Sequence, residues 1–223
     1  MAQRISLVVV GAGGFGQEVV WAARNANRIN PVYDILGYVD DDARKKGAEM
    51  YGCRVLGTPD ELDLRPAFVC AIGDNEARRS VATRLSSLGW SPATVIDPSV
   101  IVAEGVAVGE GTYVGAGSIL SPNVHLGNHV IINHHCSIGH DSILGDFVTV
   151  SPGGRVSGGC RLEEGAMLAS NAVLAPGRSI GRYSKLSACS FALVNIPDGA
   201  TAVGNPARVL LKGKGGVATA PSR

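Results

Sequence analysis

From residue 102 to residue 186 every sixth residue is Val, Ile or Leu; Val102, Val108, Val114, Leu120, Leu126 and Ile132 open the series, and Ile96 extends it backwards. The residue after each is often glycine, as at 109, 115, 127, 139, 145 and 181, and the position four on is mostly small or β-branched. A helix repeats every ~3.6 residues and a strand every two, so a period of six fits neither a helix nor an ordinary hairpin. It fits a coil that turns a corner after every hexapeptide, with one aliphatic per side pointing inward and stacking on its equals above and below. The register is unbroken, which leaves no room for an inserted loop. Composition agrees: 30 glycines among 223 residues and only 5% aromatics imply frequent close turns around a core of Val, Ile, Leu and Ala.

The first ninety residues read differently. Ile5 to Val10 is a β-branched run ending in Gly11, and Gly14 to Ala26 carries Val19, Val20 and Ala23 at helical spacing. Further strands are expected at Ile35 to Val39 and Phe68 to Ile72, with a helix from about Asn75 to Leu88. The pattern breaks around Trp90-Ser91-Pro92. The expected organisation is a small Rossmann-like α/β domain over 1–92, a repeat domain over 93–196, a strand or turn segment over 197–211 and a loose tail over 212–223, which has too little apolar content to fold.

Twenty Lys plus Arg balance nineteen Asp plus Glu, so nucleic acid is not an expected partner. The five cysteines are widely spaced with no C-x-x-C pair, which argues against zinc and a redox motif and for reduced, buried thiols. Neither a signal sequence nor an apolar run of ~18 residues is present. These features lead us to expect a cytoplasmic protein with no membrane partner.

Gly11-Ala12-Gly13-Gly14-Phe15-Gly16 follows a strand and opens a helix, so backbone N–H groups can face a phosphate. Asp40 ends the next strand, about where a ribose-binding acid belongs. The α/β unit is too short for both halves of a dinucleotide site, which favours a nucleotide-linked sugar over NAD. A tight turn that needs glycine for packing is the remaining reading, as is a solvated loop for Asp40 to Asp42.

All five histidines, His125, His129, His134, His135 and His140, fall within sixteen residues of the repeat. His134 and His140 stand two places after inward aliphatics and point outwards, so the histidines spread over at least two sides and a metal cage is not expected. Neutral imidazole suits a base working near pH 7, and the carboxylate of Asp141 can orient the ring of His140.

The repeat resembles the hexapeptide-repeat acyltransferases. Its pairing with the glycine loop, with Gly37-Tyr38-Val39-Asp40-Asp41-Asp42 and with Ile72-Gly73-Asp74-Asn75, is similar to the sialic-acid and bacillosamine O/N-acyltransferase family. The resemblance implies a left-handed parallel β-helix of about 18 residues per coil, roughly five coils over 96–190, in a homotrimer with active sites between subunits. It implies that Gly11, Gly13, Gly14, Phe15, Asp40, Asp41, Gly73 and Asn75 bind a nucleotide-linked sugar, Phe15 standing where a histidine is often seen. His140 with Asp141 matches the family's histidine–acid pair, and Asn133 its amide seven residues earlier. Thr149 stands where some relatives place a second histidine near the acetyl donor. Gly204-Asn205-Pro206-Ala207-Arg208 resembles the segment near bound coenzyme A, with Ala188 beside it; on the residues alone this is equally a turn and a strand.

One coil on from His140 is Gly158, whose N–H is a candidate both for an oxyanion and for the donor. The other four histidines are expected at the surface or a subunit interface. The reading that follows is an acetyl-CoA-dependent N-acetyltransferase acting on a nucleotide-linked amino sugar, a 4-amino-4,6-dideoxyhexose, with a sugar O-acetyltransferase and a non-catalytic binding trimer as alternatives and no metal required.

Overall fold

A computed structural model describes residues 4–210; the expected tail from 212, and residue 211 before it, lie outside the described residues. Four parallel strands, β1 (Ile5–Val10), β2 (Tyr33–Val39), β5 (Ala67–Cys70) and β6 (Ser91–Pro92), form a sheet in the order β2-β1-β5-β6. Helices α1 (Gly14–Ile29) and α2 (Asn75–Ser87) connect them. A short hairpin, β3 (Glu49–Met50) with β4 (Cys53–Arg54), lies between β2 and β5; no periodicity in the sequence announces strands of two residues. The chain runs from β1 outwards to β2 on one side and then crosses over to β5 on the other side of β1. The crevice beyond the carboxyl ends of β1 and β5 is therefore the topological switch point where open α/β sheets take ligands.

From Val95 the chain winds into a three-sided parallel solenoid of two-residue strands. The first face stacks Val95–Ile96, Tyr113–Val114, Ile131–Ile132, Thr149–Val150, Met167–Leu168 and Lys185–Leu186. The second face contains Ser137–Ile138 and the third Ile143–Leu144 in the same turn. Successive turns pair in parallel at an offset of eighteen residues, as in Leu120↔Ile138↔Val156, until the last turn, where Lys185 pairs with Thr201. The period implies about five turns; Phe191–Ala192 and a bridge between Ile180 and Ile196 carry the ladder on to about six. The inward aliphatics from Val114 to Leu186 are fully or almost fully buried in one continuous cluster, each contributing ~1.5–3 kcal/mol over exposure. No helix follows residue 93 among the described residues; the solenoid ends in an antiparallel hairpin, Thr201–Gly204 with Ala207–Leu210.

From residue 105 to residue 189 each corner contains one residue with left-handed backbone, held by glycine at 105, 111, 117, 153, 159, 165 and 177 and by side-chain-bearing residues such as Asn123 (φ 60°), Asp141 (φ 58°) and Asn171 (φ 54°) elsewhere. Glycine adopts this conformation freely, and Asn and Asp tolerate it best among the rest. Of the cysteines, Cys70, Cys136 and Cys160 are buried, whereas Cys189 occupies such a corner and is exposed, contrary to the expectation of burial.

The α/β unit packs on the first face of the solenoid. Phe15 stacks edge-on against Tyr113, with ring centroids 5.3 Å apart, and Val95, Tyr113 and Ile131 share a buried cluster with α1. On the other side Arg78 of α2, 1% exposed, donates to the carbonyls of Ile72, His129 and Phe147 and to Oδ1 of Asn75 and Oγ1 of Thr149. Burial lowers the guanidinium pKa to about 10.

Candidate active site

The candidate residues fall into two groups, and the fold holds them apart. At the switch point, Val10, Gly11, Asp40, Asp41 and Ile72 line a cavity of 160 Å³. Gly11 has φ +106°, and a side chain there would meet the carbonyl of Ala71. Gly13 caps α1 with extended backbone and no side-chain cap, and Gly13 and Gly14 both open to empty space. Helix N-termini present unpaired N–H groups and a partial positive charge, so this end of α1 is an accessible anion cradle. Gly73 is likewise open.

Several residues expected at the ligand also hold the protein itself together. Asp40 accepts hydrogen bonds from the N–H groups of Ala12 and Asp42 and from Lys45. Burial pushes its carboxyl up, but these partners outweigh burial and hold it below the usual carboxylate range. Asp40 therefore fixes the glycine loop, and its oxygens are already engaged. Asp41 is exposed and pairs with Arg84 at 2.5 Å. Phe15 packs on Tyr113 rather than projecting from the loop. Asn75 is buried, its amide nitrogen donating to the carbonyl of Gly165 and its oxygen accepting from Arg78 and Thr149. Thr149, 5% exposed, is committed to the same network. Both belong to the junction between α/β unit and solenoid, because a buried guanidinium needs every acceptor within reach.

The second group stands on the corner between the second and third faces. His140 Nδ1 lies 2.8 Å from Asp141 Oδ2. An ionised carboxylate only accepts, so Nδ1 carries the proton and the Nε2 lone pair is free. Asp141 also accepts from Asn123 Nδ2 at 3.0 Å. The His140 hydrogen bond first, and that of Asn123 second, hold the Asp141 carboxyl below its ordinary pKa. The ring of His140 lies over Gly158, where any Cβ would collide with Nε2. Among the described residues the Gly158 N–H makes no hydrogen bond, while its neighbour Gly159 donates to the His140 carbonyl.

The other histidines sort by corner. His129 is buried, its ring between Phe68 and Phe147 at 5.9 and 5.1 Å, and burial lowers its pKa to about 4. The expectation of a surface position fails there because the α/β unit covers that corner. His134 is partly buried beside Trp21 and within 3.3 Å of the Tyr113 hydroxyl; His125 and His135 are exposed. Asn133 accepts the N–H of His134 on the corner between the first and second faces, and among the described residues it makes no hydrogen bond to His140. Near the end of the solenoid, Ser190 Oγ donates to the Ala188 carbonyl and accepts the Gly204 N–H, which brings Ala188 and Gly204 together beside exposed Pro206 and Arg208. Among the described residues there is no cluster of His, Cys, Asp and Glu able to hold a metal, and no helix long and apolar enough to cross a membrane. Asn123 carries no chemical signature of its own in the sequence. Its signal was the eighteen-residue stack Gly105, Asn123, Asp141, Gly159, visible once the turn length is known.

In a three-sided prism the edge between the second and third faces lies opposite the first. His140 thus sits on the edge farthest from the face that bears the glycine loop.

Comparison with known proteins places these features in a family. The PglD N-terminal domain model matches residues 6–85, and no curated protein matches the sequence. Among solved structures, the acetyltransferase domain of PglB from Neisseria gonorrhoeae is 30% identical, with 92% of this chain and 99% of that one covered and a TM-score of 0.84. A histidine-to-asparagine variant of perosamine N-acetyltransferase from Caulobacter crescentus, in complex with CoA and GDP-perosamine, is 27% identical over 93% of this chain and 97% of that one, with a TM-score of 0.85. WeeI from Acinetobacter baumannii is 26% identical over 92% and 100%, with a TM-score of 0.83. The chain belongs to the hexapeptide-repeat sugar N-acetyltransferases, left-handed β-helix enzymes with a PglD-type N-terminal domain.

Proposed function

We propose that the protein transfers the acetyl group of acetyl-CoA to the amino group of a nucleotide-linked amino sugar, a 4-amino-4,6-dideoxyhexose, with His140 as general base. The observation that carries this is the Asp141–His140–Gly158 arrangement: a carboxylate fixing one imidazole nitrogen, the other free above an unpartnered N–H. The acceptor amine attacks the thioester carbonyl while Nε2 takes its proton. The oxyanion that forms is met by the Gly158 N–H, and collapse expels the thiolate of CoA, which the imidazolium reprotonates. The protein named from C. crescentus, with GDP-perosamine and CoA and a substituted histidine, supports an amine acceptor.

The acceptor's diphosphate is assigned to the Gly13–Gly14 end of α1 and its nucleoside to the cavity at Gly11 and Ile72. Ala188, Gly204, Pro206 and Arg208 are assigned to the donor side. Because His140 stands on the edge opposite the glycine loop, a sugar held there reaches the His140 of another chain. That geometry supports a homotrimer in which neighbouring prisms share each site, working in the cytoplasm where acetyl-CoA and nucleotide sugars are made.

The test is release of free thiol from acetyl-CoA with a panel of nucleotide-linked amino and hydroxy sugars. Turnover with an amino sugar that falls by at least ~10²-fold in His140→Ala, with ligand binding intact, is the expected result. Thiol release with hydroxy sugars alone would replace this reading with O-acetylation, and none with any acceptor would leave a binding protein.

A further inference from the structure

The His140–Asp141 pair is exposed, with side-chain exposures of 68% and 59%. Two exposed side chains sample several rotamers, and an ion pair in water does little to restrain them. Something else has to hold a base aimed at one atom. Asn123, one turn below Asp141 in the same corner position and itself exposed, adds a third member to the pair, and a closed network of three narrows the geometries that two alone would sample. Its φ of 60° matches the 58° of Asp141, so the two Cβ atoms project alike and the side chains stack. Its Nδ2 donates to Asp141 Oδ1, the oxygen that His140 does not use. Its own backbone is pinned on both sides: the N–H donates to the Glu104 carbonyl at 3.3 Å, and its carbonyl lies 3.0 Å from His125 Nδ1. Below it Gly105 has no side chain; a Cβ there would press on Asn123 Oδ1. A neutral donor is required at this point, since a second carboxylate would repel the first.

We infer that Asn123 is a positioning residue of the reaction, orienting Asp141 so that His140 keeps its proton on Nδ1 and its Nε2 over Gly158. The inference rests on the reading of His140 as base. Asn123 touches neither substrate; it acts through Asp141.

Asn123→Gly is the informative variant, because glycine already holds this corner position at 105 and 159 with φ of 74° and 65°. The side chain is deleted without strain in the backbone. The expected result is a folded protein of unchanged size and Tm whose kcat falls roughly tenfold, as for loss of one charge-assisted hydrogen bond, with KM for both substrates unchanged. Asn123→Asp, of the same shape but unable to donate, loses as much. In an Asp141→Ala background, Asn123→Gly costs nothing further. A kcat within twofold of the parent for both variants, or a loss that persists undiminished without Asp141, overturns the inference. Full turnover by His140→Ala would instead overturn the base assignment, so the two failures are distinct.

Discussion

The imidazole of His140 occupies the space that any side chain on Gly158 would need. The backbone of Gly158 is not in the left-handed region, so glycine is required there by the ring above it and not by its own torsion angles. Gly158→Ala is therefore expected to fold normally, with Tm shifted by no more than a few degrees, while the displaced ring loses its aim and kcat falls by about 10²-fold. Steady-state kinetics beside a thermal melt separates the two effects.

Gly13 tests the other half of the site. Its extended backbone admits a side chain and its surroundings are open, so Gly13→Leu folds while covering the N-terminal N–H groups of α1. Acceptor KM is expected to rise at least about tenfold with acetyl-CoA KM unchanged, since only the anion cradle is lost. Equal rises in both would contradict the separation of donor and acceptor sites.

Placing the glycine loop and His140 on opposite sides of one chain makes a mixing experiment decisive. With acceptor held well below its raised KM, Gly13→Leu chains alone turn over slowly, and His140→Ala chains lack the base. After unfolding and refolding together at equal ratio, about one quarter of the interfaces combine an intact loop with an intact histidine from its neighbour, and that share of activity is expected to return. No recovery would mean that each chain completes its own site.

His129 gives a pH dependence to stability. Its folded pKa, about 4, lies below the ordinary value of 6.5, so the unfolded chain takes up a proton more readily than the folded one. Stability is full above about pH 6.5 and declines as pH falls from there towards 4, by up to about 3 kcal/mol at the lower end. His129→Phe keeps a ring between Phe68 and Phe147 and cannot titrate; Phe147 already occupies the same kind of corner at φ 59°. Urea midpoints at pH 7 and pH 5 are expected to diverge less in the variant than in the parent.

Arg78 is the most exacting buried residue. Replacement by Met leaves the carbonyls of Ile72, His129 and Phe147 without that donor and is expected to cost about 3 kcal/mol or more in chemical denaturation.

The inward aliphatics were legible because one buried position per hexapeptide leaves a strict period, and β1, α1 and the glycine loop because strand, turn and helix are each local. What was not legible involves partners distant in the chain. Arg78 reads as one more charge on a helix until His129 and Phe147 are brought against it, and Asn75 and Thr149 look available until they are seen to share its hydrogen bonds. Asp40 was placed at the right strand end, but the sequence could not tell that Ala12 and Lys45 would claim its oxygens.

Arg78 joins α2 to the backbone of two successive solenoid turns, and Asn75 reaches a third at Gly165. A hinge between the two units would have to expose this charge and break all its bonds at once, so they move as one rigid body. The glycine loop keeps a fixed place against the solenoid, with no clamshell motion between the two units. Anything that reaches or leaves the glycine loop therefore does so over the outer surface of the chain, without the opening of a domain.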